Sequence, residues 1–389
     1  MDVHSLFGHL DRGGAATLSH PARYAVAGGA IVAPARYAGR AGSEFVFETR
    51  WIDGAFRRTA LIDSKGSQSN RSEDGLLAAR RDGPPASLMP VIEVRYPSRS
   101  LLDLELPHRA FDSHIRAGEQ DGVPVVQLDW YRALRDATPA DLSPVFTVSP
   151  ATLAFGGWDS SRKRGQLRLR SLYVSELFGV VDDGDDVLSR RTGARIDPLG
   201  QDFHIAPDEY EALLDRQRDQ MSDTTVKKLE GELAAARKRD KTLSASALGL
   251  GGVPPGTQSP FGVSVPEVRR ARTYSLAGLR RLRFGGSAEE DVAARAALLG
   301  VLLLGAAYAD VDPDIRAYCD VSAPRGRVFL DDEEVDLDLS PEACTAFLAD
   351  AIDRLPARLA WTGQVATVDG AASLDRGAVA GGGDDELTE

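Results

Sequence analysis

The chain has 389 residues, 43% of them hydrophobic, two cysteines and a formal net charge of −12, enough for two domains or for one large domain with insertions. Cys319 and Cys344 lack metal-ligand spacing and residues 1–20 lack the apolar core of a secretory signal, which argues against a disulfide scaffold or a zinc site and makes the cytoplasm the expected compartment. The acidity is concentrated in residues 310–389, with 19 Asp and Glu against 6 Arg, so residues 1–309 stay near +1 and the overall balance does not exclude a polyanionic partner.

Residues 45–52 (FVFETRWI) predict a strand, Asp53-Gly54 a tight hairpin turn, and residues 56–63 the returning strand. The polar turn that follows carries Ser64, Ser67, Gln68, Ser69 and Asn70 and leads to a helix expected near Arg71. Its hydroxyls, amides and free N–H groups suit either helix capping or a phosphate. Residues 91–96 predict a strand, and residues 106–118 a helix ending at Gly118. That helix holds His108, Asp112 and His114, side chains that general acid/base cleavage of RNA would use. A six-residue spacing sets the two histidines on roughly opposite faces. Residues 123–128 read as a short strand and residues 130–135 as a helical turn.

Residues 151–180 are the most informative stretch. Gly156-Gly157 precedes Trp158, five cations fall between Arg162 and Arg170 (Arg162, Lys163, Arg164, Arg168, Arg170), and Leu167, Leu169 and Leu172 interleave with the last of them. The alternation predicts a strand with Arg168 and Arg170 on one wet face. Beyond an acidic loop at residues 182–186, residues 207–236 predict a charged helical segment broken near Ser222, and residues 244–266, rich in Gly and Pro, a long loop or boundary. Residues 269–284 form a second basic-plus-apolar element with six arginines. Ser287 to Glu290 is a capping box opening the most hydrophobic helix, residues 291–309, expected to be a buried core helix and not a membrane span. An acidic hairpin around residues 331–334, a last helix at 341–355 and a disordered tail at 370–389 follow to the end of the chain. Nucleotide-binding loops, HExxH and nucleophile elbows are absent from the sequence, so an enzyme is not the first expectation.

Three segments taken together resemble a known family. They are Ala60 to Ser64 leading to Ser67-Gln68-Ser69-Asn70-Arg71-Ser72-Glu73, His108-Arg109 through Asp112-Ser113-His114-Ile115-Arg116, and Ser149-Pro150-Ala151 through Phe155 to Ser160 with Val174-Ser175-Glu176-Leu177. They are similar to the GSU0053-type RAMP proteins of CRISPR systems, backbone subunits of the type I-U (I-G) Cascade complex. The likeness spans about residues 56–180. It implies an α+β fold: an RRM-like, ferredoxin-type palm over residues 1–330 with large insertions forming finger or thumb elements, completed by residues 331–369. It implies copies polymerised along CRISPR RNA beside other Cascade subunits, with target DNA met through the guide, no cofactor, no metal and no membrane. On this resemblance Ser64, Ser67, Gln68, Asn70 and Arg71 cradle phosphate and ribose, and Arg162, Lys163, Arg164, Arg168 and Arg170 form an electrostatic wall. His108 and Arg116 join the RNA-facing set, and Trp158 either stacks on a base or packs beside Phe155. The alternative is an RNA endonuclease using His108, Asp112 and His114.

Overall fold

The computed structural model describes residues 2–27, 31–39, 42–160, 162, 165–181, 188–190, 204–250 and 260–375. It is an α+β protein in two units, the described residues up to 181 with 263–375, and the described residues between 188 and 262. In the larger unit the chain forms strands β1 (Thr17–Ser19), β2 (Ala22–Tyr24), β3 (Phe47–Ile52) and β4 (Ala55–Asp63), helix α1 (Lys65–Asp82), and strands β5 (Val91–Arg95), β6 (Tyr173–Val180) and β7 (Val268–Ser275). Helix α2 (Ala288–Val311), the hairpin β8 (Val328–Leu330) and β9 (Glu333–Val335), helix α3 (Pro341–Asp353) and strand β10 (Val365–Asp369) follow.

The main antiparallel sheet runs in the order β9-β8-β1-β7-β6-β4-β3, with β2 also pairing β7. The hairpin β3–β4 forms as its Asp-Gly turn predicts: Asp53 and Gly54 take φ +49° and +81°, the pair of left-handed residues that matches strand twist. A second, five-stranded sheet sets β10 parallel to β5, Val365 opposite Val91 through Asp369 opposite Arg95.

Helix α2 is the centre of the packing. Ser287 Oγ accepts from Glu290 N at 3.3 Å and Glu290 returns the bond to Ser287 N at 3.1 Å, the expected capping box. It is long and apolar enough to cross a membrane, yet 83% of its apolar window is buried inside the protein. Its one central cation, Arg295, is held by Asp291 one turn earlier at 3.0 Å and by the Leu282 carbonyl at 2.8 Å. α1 and α3 pack on α2, and the approach to α1 is as close as backbone allows. A Cβ on Gly305 would collide with the Ser72 carbonyl, and one on Gly75 with the Gly305 carbonyl.

Several expectations are corrected. α1 starts at Lys65, not near Arg71, because Ser64 is extended and its Oγ accepts from Ser67 N at 3.2 Å. Residues 106–118 are not one helix: a turn at Arg109–Phe111 is followed by extended Asp112, which caps a four-residue helix, Ser113–Arg116. Only Val123–Pro124 of the predicted 123–128 strand pairs, and a 3-10 turn, Val125–Gln127, follows. The start of the expected tail is anchored, since buried Asp375 accepts from Ser98 N at 3.1 Å. Residues 376–389, the acidic loop at 182–186 and the middle of the 244–266 loop lie outside the described residues.

In the smaller unit, Pro207–Gln217 and Asp223–Arg239 are separate helices, the second capped by Ser222, whose Oγ accepts from Thr225 N at 3.2 Å. Tyr210, Leu214, Leu229, Leu233, Leu243 and Leu248 form its core.

Gly305→Ala is expected to destabilise the larger unit by about 1–3 kcal/mol, the usual cost of overpacking. Urea denaturation checks this; an unchanged midpoint would mean that the two helices separate freely.

Candidate nucleic-acid interface

The polar turn after β4 spends most of its donors inside the protein. Gln68 is buried, donating from Nε2 to Asp63 Oδ2 at 2.7 Å and accepting at Oε1 from Ser175 Oγ at 3.0 Å. Arg71 donates from Nε to the same Asp63 oxygen at 3.0 Å, and its two Nη groups reach the carbonyls of Asp314 and Ile315. Arg316 holds the other oxygen of Asp63 at 2.5 Å. Ser64 caps α1, Ser67 supplies the capped N–H, and Asn70 is exposed. Of this set only Ser64 acts as a helix cap, whereas Gln68 and Arg71 are spent on Asp63 and its neighbours.

The second motif turns on a residue that its sequence neighbours overshadow. Arg109, at φ +47°, donates from Nε to Glu73 Oε1 at 2.6 Å and from Nη2 to Oε2 at 2.7 Å, while Nη1 reaches the Gly156 carbonyl at 2.9 Å. Its guanidinium also lies 5.6 Å from the Phe155 ring centroid. Burial pushes the Glu73 carboxyl up and Arg109 works against that shift. One side chain thus joins the three segments that carried the resemblance. Behind it, Ala110 N donates to Thr152 Oγ1 at 3.3 Å, Thr152 meets Ser149 Oγ at 2.7 Å, and Ser149 donates to fully buried Asp103.

Asp112 serves the backbone, accepting from His108 N at 3.1 Å and His114 N at 3.0 Å on its two oxygens. The His108 ring is exposed, and His114 Nδ1 pairs with Tyr96 OH at 2.6 Å. Arg116 faces Asp159 at 3.8 Å. No group of three or more His, Cys, Asp or Glu able to hold a metal occurs among the described residues.

The third motif builds a short ribbon, Gly157–Trp158 paired with Arg168–Leu169. Gly156 at φ +94° starts it, and a Cβ there would press within 2.7 Å of Ser171 N. That turn sends Phe155 into the core and Trp158 outwards, 47% exposed, so Trp158 does not pack beside Phe155. Arg168, directly across the ribbon, lies over the indole at 4.7 Å, a cation–π pair. Arg170 is exposed and donates to Ser275 Oγ at 2.5 Å. Arg162 folds back to Asp136 at 2.7 Å and the Arg135 carbonyl at 3.0 Å. Lys163 and Arg164 lie outside the described residues. Exposed Trp158, Arg168 and Arg170 therefore form the basic-aromatic surface of this stretch.

The second basic element divides between two faces. On β7, Arg270 and Arg272 point to the helix side and are buried against Asp310 near the end of α2, at 2.5 Å for Arg270 and at 2.8 and 2.9 Å for Arg272. Burial pushes the Asp310 carboxyl up, but Arg272 and Arg270 outweigh it and hold the group below its usual range. Beside them, burial and the same two arginines push His20 down to about 3. These arginines are structural and not part of a surface.

Residues 18–182 match the family model of CRISPR-associated protein GSU0053. No curated protein matches the chain. The GSU0053 match covers under half of the sequence, and it contains α1, the Arg109 junction, the ribbon and all of β6. It points to a role within a CRISPR system.

Removing the junction tests its weight. Arg109→Ala, which strands the buried Glu73 carboxylate, is expected to cost about 3–5 kcal/mol, with Arg109→Lys short of full recovery because an ammonium cannot replace the bidentate fork. Urea denaturation, with proteolysis at the ribbon, would read this. Asp103 gives a pH signature. Burial pushes its carboxyl from 3.8 up to about 6, so folding favours the protonated form. Its penalty is absent below pH 4, grows as pH rises to 6, and is complete above. Asp103→Asn keeps the acceptor for Ser149 and is expected to be favoured over wild type by about 2–3 kcal/mol more at pH 7 than at pH 4. Parallel stability curves for the two proteins would refute this.

Proposed function

We propose that this chain is a non-catalytic CRISPR RNA-binding backbone subunit of a type I-U (I-G) Cascade surveillance complex. Copies line up along the guide RNA, grip its backbone without regard to sequence, and leave bases free to pair with target DNA. The partners are CRISPR RNA, further copies of the chain and other Cascade subunits, in the cytoplasm.

The observation that carries this reading is the ribbon within the GSU0053-matched residues. Trp158 and Arg168 are exposed and stacked, and Arg109, paired with buried Glu73, holds the base of the ribbon through the Gly156 carbonyl. An exposed indole offers a stacking surface that tolerates any base, and exposed arginines offer contacts to phosphates. An RRM-like palm is supported by strand order. In β8-β1-β7-β6, α1 lies between β1 and β6 in sequence and α2 between β7 and β8, the β-α-β-β-α-β order of ferredoxin-like folds. The hairpin β3–β4 and residues 188–262 are then insertions. Against the endonuclease alternative, both oxygens of Asp112 are turned to backbone N–H groups.

Coexpression with the CRISPR array should yield protein carrying RNA of uniform length; RNA of random length, or none, would overturn the reading. Arg168→Ala with Arg170→Ala is expected to weaken RNA retention about tenfold for all guides alike. The salt dependence should fall by about 0.7 in log–log slope for each phosphate that is no longer neutralised.

A further inference from the structure

The main sheet has a second face. Since Arg270 and Arg272 point to the helices, strand alternation turns Arg269 to the opposite side. Register places Arg325, Arg23, Arg269 and Phe178 directly across from one another on four neighbouring strands, the short strand Arg325–Gly326, β2, β7 and β6. Opposed side chains stand about 5 Å apart at Cβ, and like charges so placed repel. Among the described residues two carboxylates temper the row, and both are shared. Asp53 lies 2.5 Å from Arg269 and 3.7 Å from Arg23, and Glu267 lies 2.5 Å from Arg269 and 3.5 Å from Arg23. Arg325 is exposed and has no carboxylate partner among the described residues.

The row floors an open groove of about 710 Å³, also lined by Arg327, Trp51 and Phe329. Trp51 is 65% exposed and its ring is braced edge-on by Phe56 at 5.0 Å. Three arginines in line with two shared carboxylates leave unmet positive charge, and a braced, exposed indole stands beside it. This groove is distinct from the ribbon, because Arg170 is tied to Ser275, six residues along β7 from Arg269, about 20 Å at 3.3 Å per residue.

We infer that this groove is a second nucleic-acid site. It takes the sugar–phosphate backbone of a single strand along Arg325, Arg23 and Arg269, with a base stacked on Trp51. The class of ligand rests on the RNA-binding reading above; the position of the site does not.

The test uses purified full-length chain and labelled oligouridine or oligothymidine, with thermal midpoints measured in parallel. Arg23→Ala with Arg325→Ala should weaken binding about tenfold and lower the log–log salt slope by about 0.7 for each phosphate released from the groove. Trp51→Ala should weaken it about tenfold without changing the slope. Arg325→Ala alone, at an exposed side chain, stays informative if the double variant unfolds, and Arg325→Lys should restore the slope. Unchanged affinity and slope in folded variants would overturn the site, even if Arg168→Ala still lowers binding. So would a change in the RNA-free oligomeric state with oligonucleotide affinity intact, which would mean that the face meets the acidic residues 331–338 of a second copy. Loss of uniform-length RNA in coexpression, with oligouridine binding still dependent on Arg23 and Arg325, would remove the surveillance-complex reading and leave the groove standing.

Discussion

The pair between Arg109 and buried Glu73, with its third bond to the Gly156 carbonyl, joins segments separated by 36 and 47 residues. Removing two charges from water is costly, and the pair is viable only because both carboxylate oxygens and the remaining guanidinium edge are satisfied. The guanidinium has the shape for this: its planar fork reaches α1 on one side and the root of the ribbon on the other. Arg109 accepts a left-handed backbone to do so, a strain of the order of 1 kcal/mol that the surrounding bonds impose. The ribbon's outward face is thus set by an inward contact. The stretch carrying the exposed indole and arginines is tied to α1 through this contact and to the core through Phe155 and Leu167.

Much of this is legible in local sequence. Asp53-Gly54 between two alternating runs specifies a hairpin, and Ser287 to Glu290 before an apolar run specifies where α2 begins. Other features depend on distant partners. Arg270 and Arg272 read as a basic patch because a count of arginines cannot show that Asp310, some forty residues later, waits behind the sheet. Trp158 and Phe155 are both large and aromatic, and only the left-handed turn at Gly156 sends them to opposite sides. The row from Arg325 through Arg23 to Arg269 is invisible in the sequence because its register joins segments about 300 residues apart. Arg109 escapes notice there because, beside two histidines and an aspartate, an arginine is the least conspicuous candidate for chemistry.

Charge is distributed by role. Asp63 binds Arg71 and Arg316, and Asp310 binds Arg270 and Arg272, so each of these carboxylates is matched by two guanidiniums. Within these clusters cations outnumber anions, although the chain as a whole is acidic. Net charge describes how the molecule repels its neighbours at a distance; it says little about any one face or about the interior.

The connection between β6 and β7 has a consequence for how such a chain can change. Gly179 and Val268 are paired neighbours in the sheet, yet residues 188–262, which make up most of the smaller unit, lie between them in sequence. The family match ends at residue 182, two residues after β6. Closing a loop costs only about 0.6 kcal/mol more for each doubling of its length, so the sheet is almost indifferent to what is threaded through that gap. The site between these two strands can therefore accept an insertion of very different length while the register that aligns Phe178 with Arg269 is kept.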